Sequence, residues 1–360
     1  MKNKVVLILG TNIHWAPFYY RYENILINEG VEFDLIIWNR ENIIEKCCAK
    51  KIYEYKKKDK SNNKNPLKIT KFLGFSFFAK KILKKNQYDK VIFVGTYGCV
   101  SAVCANYLVK KYKKKMWIDI RDDLYEWFKP YYIAQEKSIK ASYVTTISSH
   151  QYKIFLPEFN YNIMHNIDPH AIELKKRFKP QKEDLIRISF IGNVRYYEQN
   201  IKIIELLKND ERYRIQYFGA GSELIKEYCE KNKILNVDFC GRFSQDETIS
   251  FYEKTDIINN VYGNDTLNLQ TALSNKLYYG LLLKLPILVS PNTYMEELAL
   301  KYSIGFSFYE KDSFANDLYD WYMKIKNKEI IPQFDLLWEK FYKEDEETII
   351  ALKKFVKGGN

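Results

Sequence analysis

Cations that stand next to glycine-bearing turns are the residues of this chain best suited to chemistry. Arg195 follows Gly192-Asn193, and Lys276 follows Asn275 at the start of a helical stretch. A helix N-terminus has backbone N–H groups without partners, so an anion fits there, and a cation in the first turn strengthens the site. Related turns recur at Gly219-Ala220-Gly221, Gly241-Arg242-Phe243 and, early in the chain, Gly10-Thr11-Asn12. A second set, Asp119, Arg121 and Asp122, ends an apolar run. Alternation along an extended chain puts Asp119 and Arg121 on one side, where they could pair. Arg cannot serve as a base near neutral pH, so Arg121 is not a general base. The competing readings are a structural ion pair for Asp119, Arg121 and Asp122, and plain surface charge for Arg195 and Lys276.

Several activities are excluded. After Gly219-Ala220-Gly221 a dinucleotide fingerprint needs a third glycine, and Leu224 stands there, so nicotinamide chemistry is not expected. Neither a Walker A sequence nor G-x-S-x-G is present, and His14, His150, His165 and His170 are too scattered to suggest a metal site. Six cysteines without CxxC spacing read as reduced core residues. With no Asp-x-Asp either, no metal or other cofactor is expected. Any pyrophosphate would have to be met by fixed cations and helix N-termini.

Composition sets the scale. A chain of 360 residues, 46% hydrophobic and 16% aromatic, can fill two cores. The apolar run at residues 5–9 is too short for a secretory signal, and no run reaches the length of a spanning helix. A soluble or membrane-peripheral protein is expected. The charge is lopsided: residues 1–170 hold 29 Lys and Arg against 16 Asp and Glu, and the remainder hold 28 against 29. All of the +12 excess therefore belongs to the first half, which points to an anionic partner such as a membrane surface or a phosphorylated acceptor. No nucleic-acid motif accompanies the charge.

The elements that must position these residues alternate. Apolar runs at 5–9, 31–38, 90–94, 116–120 and 143–147 read as buried parallel strands with helices between them, among them 16–29 and 67–85. Helix 67–85 has a wide apolar content and a basic polar face, which suits packing on a sheet or lying on an anionic membrane. Residues 56–64 read as a mobile charged loop. The pattern restarts with strands at 186–191, 215–218, 237–240, 256–261, 285–290 and 305–308, and closes with helices at 314–326 and 334–356. This predicts an α/β protein of two doubly wound parallel sheets, in domains 1–168 and 169–333, followed by a C-terminal helix 334–360. Gly10–Asn12, Gly95–Gly98 and Arg121–Asp123 should share one rim of the first sheet.

The second half resembles the donor-binding domain of GT-B fold glycosyltransferases, in particular the retaining group that builds bacterial capsule and lipopolysaccharide chains. The segments that carry the likeness are FIGNVRYYEQN (190–200), YFGAGSE (217–223), VDFCGRFSQDETISFYEKTDI (237–257), SNKLYYGLLLKLPILVS (274–290) and FDLLWEKFYKE (334–344). The first half is similar only in architecture and in IDIRDD at 118–123. The resemblance implies two Rossmann-like domains facing across a cleft, 1–168 on the acceptor side and 169–333 on the donor side, with the helix 334–360 returning to the first. Under the retaining chemistry it implies, Arg121 would orient an acceptor or screen charge and Asp122 would position a hydroxyl. The resemblance also implies a donor pyrophosphate on Gly192, Asn193, Arg195, Gly219, Gly221, Asn275 and Lys276, a nucleobase at Gly241–Phe243, and phosphate contacts from Gly10, Thr11 and Asn12. Departures from the pattern are specific. Tyr279 replaces the ribose-binding Glu, Thr271 an acidic partner, and Lys284 a glycine. A phenol binds a ribose hydroxyl more weakly than a carboxylate does, and plain helix packing is the alternative for Tyr279.

The expectation is a metal-independent, retaining transferase that moves a sugar from a nucleotide diphosphate donor to a polyprenyl-phosphate-linked saccharide. It would work from the cytoplasmic side of an anionic membrane surface. An inactive GT-B partner of another glycosyltransferase is the alternative.

Overall fold

The structure, a computed structural model, describes residues 3–59, 67–95, 99–181 and 183–358. The chain divides into two compact units: residues Met1–His165 with Tyr342–Asn360, and residues Asn166–Phe341. Thr96–Gly98 and most of the charged loop expected at 56–64 lie outside the described residues.

The first unit holds strands β1 (Val5–Leu9), β2 (Phe33–Trp38), β3 (Lys51–Tyr55), β4 (Lys90–Val94), β5 (Met116–Ile120), β6 (Val144–Ile147) and β7 (Asn162–Ile163). They form one sheet in the order β3-β2-β1-β4-β5-β6-β7 with every pairing parallel. Strands β1, β2 and β5 are buried along their whole length; β1 is apolar throughout, and β2 and β5 each interrupt an apolar run with one buried aspartate, Asp34 and Asp119. β3 and β7 were not expected. β3 is a half-exposed edge strand of sequence KIYEY, and β7 has two residues, so neither carries a buried-strand signature.

The second unit holds β8 (Ile186–Ile191), β9 (Tyr213–Phe218), β10 (Val237–Cys240), β11 (Ile257–Asn260), β12 (Ile287–Val289) and β13 (Gly305–Ser307). Their order is β10-β9-β8-β11-β12-β13, again all parallel. Each sheet therefore reverses its winding once, at β1/β4 and at β8/β11. In doubly wound sheets, ligands bind beyond the carboxyl ends of the strands at that reversal.

The last helix, Phe334–Lys357, contributes to both cores. Phe334, Leu337 and Phe341 pack in the second unit, while Leu352, Phe355 and Val356 pack under β1 and β5 of the first. Inside the first unit a polar cluster fastens it. Asp345 pairs with Arg21 and accepts the His165 N–H at 3.0 Å, Thr348 donates to the Ile163 carbonyl at 2.6 Å, and Glu344 lies 2.9 Å from the His165 ring and 3.0 Å from that of His150. Burial pushes His165 down to about 4 from 6.5, against the pull of Glu344. For Glu344 burial works upward, but the two imidazoles outweigh it and hold the carboxyl at about 2, below 4.5. Above its folded pKa His165 is neutral and can donate its ring N–H to that carboxylate. Both folded values lie below the unfolded ones, so the unfolded chain takes up more protons on acidification. The melting temperature should fall as pH drops from about 6.5 to 4, within the His165 window. His165→Gln should flatten that part of the profile, as thermal unfolding across a pH series would show.

Candidate functional site

The carboxyl end of the second sheet is built by turns that pack on one another. Gly192 N–H donates to the Phe218 carbonyl, Val194 to Ala220, and Gly219 to Cys240, each at 2.8 Å. Gly219 has φ +140°, and a Cβ there would fall 1.9 Å from the Gly192 carbonyl oxygen. At Gly221 a Cβ would fall 2.4 Å from the Val194 oxygen. These glycines therefore permit close approach between neighbouring turns, which brings the strand ends of β8 and β9 into one continuous rim.

Lys276 lies at the reversal point of that sheet. Ser274 caps the Asn275–Leu283 helix by accepting the Lys276 N–H at 3.1 Å, which fixes the first turn. From there the side chain runs inward. Its ammonium donates to the Asn259 carbonyl at 3.0 Å and stands 3.1 Å from the centroid of the Phe190 ring. Phe190 belongs to β8 and Asn259 to β11, the two strands that flank the reversal. Burial pushes the Lys276 pKa well below its usual value. The sequence reading placed Lys276 toward a pyrophosphate, and it did not anticipate an ammonium this deeply enclosed. Its helix is hydrophobic nearly all round, which draws the stem into the core.

Arg195 is exposed in the turn after β8. Both cations bear on Tyr262: Arg195 acts on its phenol electrostatically, and the Lys276 ammonium is 5.0 Å from its ring. Tyr262 also stacks on Tyr196 with centroids 4.7 Å apart, and Tyr196 itself adopts a left-handed conformation at φ 61° before the Tyr197–Leu207 helix. Ser290 at the end of β12 accepts the Tyr262 and Gly263 N–H groups at 2.9 and 2.8 Å. Phe190, Tyr196, Tyr262 and Ser290 were absent from the sequence-derived site. Their signal was available, since each ends a buried strand or opens the turn after it.

The other donor-side candidates are dispersed. Asn193, Gly241 and Arg242 are exposed, and a Cβ on Gly241 would meet open space. Phe243 is half-buried, edge-on to Phe251 at 4.7 Å. Tyr279 packs face to face on Tyr252 at 4.8 Å and donates to the Asp168 carboxylate at 3.2 Å, so a carboxylate does stand beside position 279, supplied from another part of the chain. Thr271 is buried and returns its hydroxyl to the Leu267 carbonyl at 2.7 Å. Lys284, at the position of the expected glycine, ends its helix in a left-handed conformation, φ 59°, the geometry that glycine serves best.

In the first unit two expectations change. Gly10, Thr11 and Asn12 are buried at the end of β1, but the anion position they create is filled by the chain itself: Glu45 accepts the Asn12 amide at 2.6 Å and the Ile13 N–H at 3.3 Å. The Asn12 side-chain oxygen Oδ1 in turn accepts the backbone N–H groups of Arg40 and Glu41 at 3.0 and 3.2 Å. A phosphate would meet a carboxylate there. Alternation does bring Asp119 and Arg121 together at 2.8 Å, but in the interior. Asp119 also accepts the Thr146 hydroxyl at 2.9 Å, Arg121 donates to the Met164 carbonyl at 3.1 Å, and its guanidinium lies 4.9 Å from the Phe18 ring. This pair ties β5 to β6 and to the segment after β7. Neither side chain reaches a surface from which it could touch a substrate.

Asp122 is the member of that set that faces solvent. The surrounding protein, then the carboxylates of Asp123 and Glu126, raise its pKa to about 7 while Arg121 opposes them. Its own contact with water screens part of that rise. Among the described residues no group of three His, Cys, Asp or Glu side chains could hold a metal ion, and no helix is long and apolar enough to cross a membrane.

Two doubly wound sheets of 7 and 6 parallel strands, each with helices on its faces, define the GT-B fold, and solved structures bear this out. The chain is similar to sucrose-phosphate synthase from Thermosynechococcus elongatus (TM-score 0.65, 10% identity, covering 99% of this chain and 96% of that one). It is also similar to the lipopolysaccharide outer core galactosyltransferase WaaB in its apo form (0.61, 13%, 98% and 99%). A third likeness is to the UDP-GlcNAc 2-epimerase from Neisseria meningitidis bound to UDP-GlcNAc (0.58, 12%, 98% and 100%). Neither a protein-family model nor a curated protein sequence matches the chain. At these identities the likeness defines the fold.

The buried ammonium yields a stability test. An enclosed charge with a carbonyl and aromatic faces for partners costs several kcal/mol of desolvation, and an apolar side chain of similar length removes that cost. Lys276→Met should melt at the same temperature as the parent protein or higher. A loss of about 3 kcal/mol or more would instead mark the ammonium as a structural pin.

Proposed function

We propose that the chain is a glycosyltransferase that moves a sugar from a nucleotide diphosphate-sugar to a polyprenyl-phosphate-linked saccharide in the assembly of a surface polysaccharide. One observation carries this reading: a lysine ammonium enclosed at the reversal point of the second sheet, with Arg195 bearing on the same tyrosine. In this reading the diphosphate is held by Lys276, Arg195 and the N–H groups at the start of the Asn275–Leu283 helix, without a protein-held metal. Arrival of the diphosphate supplies the counter-charge that the Lys276 ammonium lacks in the free protein, so the desolvation cost borne by the fold is offset by ligand. Tyr279 and Asp168 together serve the ribose hydroxyls, and Phe243 with the Gly241-Arg242 turn meets the base.

Transfer breaks the bond between the anomeric carbon and the diphosphate oxygen and forms one to an acceptor hydroxyl. In the retaining course the departing phosphate takes the hydroxyl proton, so no strong protein base is required. Asp122, poised near neutrality, orients the acceptor hydroxyl on the first unit; Asp119 and Arg121 shape that strand end from beneath. The basic excess of residues 1–170 suits an acceptor with a phosphate and a location at the inner face of the cell membrane.

A second reading has support of its own. Glu45 closes the first-unit turn against phosphate, and Tyr279 stands where a carboxylate is expected, as in a GT-B protein that has given up catalysis for a structural partnership. Nucleotides separate the two. Uridine or guanosine diphosphate at about 100-fold its Kd adds about 2.7 kcal/mol of stability, a rise of several degrees in melting temperature. Lys276→Met should weaken nucleotide affinity by about tenfold or more, roughly halving that rise at the same concentration. Transfer from the best nucleotide sugar to a polyprenyl diphosphate saccharide, followed by mass spectrometry, should then give a product one sugar heavier. A protein that ignores every nucleotide in the panel would not be a transferase, and a 2-epimerised nucleotide sugar as product would make it an epimerase.

A further inference from the structure

We propose that the first unit contains a binding site for one hydrocarbon chain carrying a phosphate head group, the chemistry of an isoprenoid phosphate. The site is a cavity of about 450 Å³ walled by Phe72 and Leu73 of the Leu67–Asn86 helix, Val103, Tyr125, Trp127 and Ala134. That volume lies within the roughly 300–1,000 Å³ of small-molecule sites. Among the described residues no charged side chain lines it. A saccharide against such walls would leave hydroxyls without partners, whereas a hydrocarbon chain loses only its contact with water. The rim is also apolar: Trp127 is 76% exposed and Phe128 50%.

Charge tells which end of the ligand goes where. The Leu67–Asn86 helix packs Phe72, Phe75, Ala79 and Leu83 into the unit and leaves Leu73, Phe77, Lys81 and Lys84 exposed. At spacings of four, four and three residues these four form one stripe, apolar at the cavity and basic beyond it. The helix contains no Asp or Glu. Lys80 and Lys84 flank the Tyr107 ring at 5.6 and 5.7 Å, and the Ala105–Tyr112 helix adds Lys110 and Lys111 in its last turn. Lys71, nearest the cavity, is neutralised by Asp59 at 3.0 Å. From Leu73 to Lys84 the helix rises about 16 Å, a span that a farnesyl-length chain covers. The chain lies in the cavity and the phosphate sits on the lysines.

This inference rests on the proposed transfer only in that a lipid-linked acceptor is where such a ligand enters the reaction; the site itself needs no nucleotide. The test is a titration of the whole protein with farnesyl phosphate below its micelle concentration, read by tryptophan fluorescence and calorimetry. Saturable binding of one molecule is expected. Ala134→Trp, which fills the cavity from the Lys129–Ala141 helix, should weaken it by about tenfold. Lys81→Glu with Lys84→Glu should lower affinity for farnesyl phosphate and leave farnesol unaffected. Binding that never saturates, or that Ala134→Trp leaves unchanged, overturns the proposal. So does displacement of farnesyl phosphate by phosphatidylglycerol vesicles from a protein whose cavity variant binds normally, which would make the stripe a bilayer contact. Should Ala134→Trp fail to fold, Leu73→Glu at the rim tests the same prediction without filling the cavity. The nucleotide-induced rise in melting temperature is read on the same samples: loss of lipid binding with that rise intact removes the chain site alone, and loss of the rise alone removes the donor reading alone.

Discussion

A charged amine held away from water between two strands is the costliest arrangement in the second unit. Lys276 reaches that position because three independent features agree. Ser274 fixes the first helical turn, the apolar surround of the helix draws the stem inward, and the winding reversal leaves β8 and β11 side by side with no crossover above them. Phe190 and Tyr262 give the ammonium ring faces, and Asn259 gives a carbonyl. Such partners moderate the desolvation cost without cancelling it. A fold that keeps this charge for its own stability gains little from it. A fold that keeps it for an arriving anion has an ammonium already desolvated and already placed.

The same topology is used differently in the two units. Both sheets have the order in which an early strand sits centrally and the winding reverses beside it. In the second unit the turns at that reversal are open-backed, with glycines allowing the loops after β8 and β9 to touch. In the first unit the equivalent turn after β1 is closed by Glu45, with Asn12 and Asn39 bonded to each other at 2.8 Å beneath it. An anion is welcome at one reversal and repelled at the other. The electrostatics of the two strand ends thus differ: the second unit sets a buried lysine at its reversal, and the first sets a glutamate there.

How much of this could be read in the sequence depended on how local the determinant was. Buried parallel strands announce themselves by largely apolar runs, so most strands of both sheets and their carboxyl ends were legible, whereas the order in which they pair, and hence the reversal points, was not. The edge strand β3 was not, because half-exposed KIYEY has neither the alternation of an amphipathic strand nor the run of a buried one. Side-chain direction was legible only where the backbone period fixes it, as for Asp119 and Arg121. Whether that pair met substrate or core depended on Thr146 and the carbonyl of Met164, contributed by residues 27 and 43 positions away. The Glu45 plug and the Asp168 carboxylate beside Tyr279 are long-range in the same sense. No local pattern marks them.

The departures from the family pattern follow from this division. Lys284 keeps the left-handed helix end that a glycine would form more easily, and it compensates in part through a surface pair with Asp335 at 2.7 Å. Thr271 turns its hydroxyl back on its own helix. Tyr279 is the substitution with chemical consequence, because a phenol replaces a carboxylate at a polar position. Yet its hydroxyl ends on the carboxylate of Asp168, so the acidic group has moved along the chain rather than vanished from the region. A ring stacked on Tyr252 with a carboxylate at its tip presents an acceptor oxygen from a rigid base, which is the requirement a ribose hydroxyl imposes. A carboxylate therefore stands at the tip of the Tyr279 ring, supplied by the segment at residue 168 rather than by the helix itself.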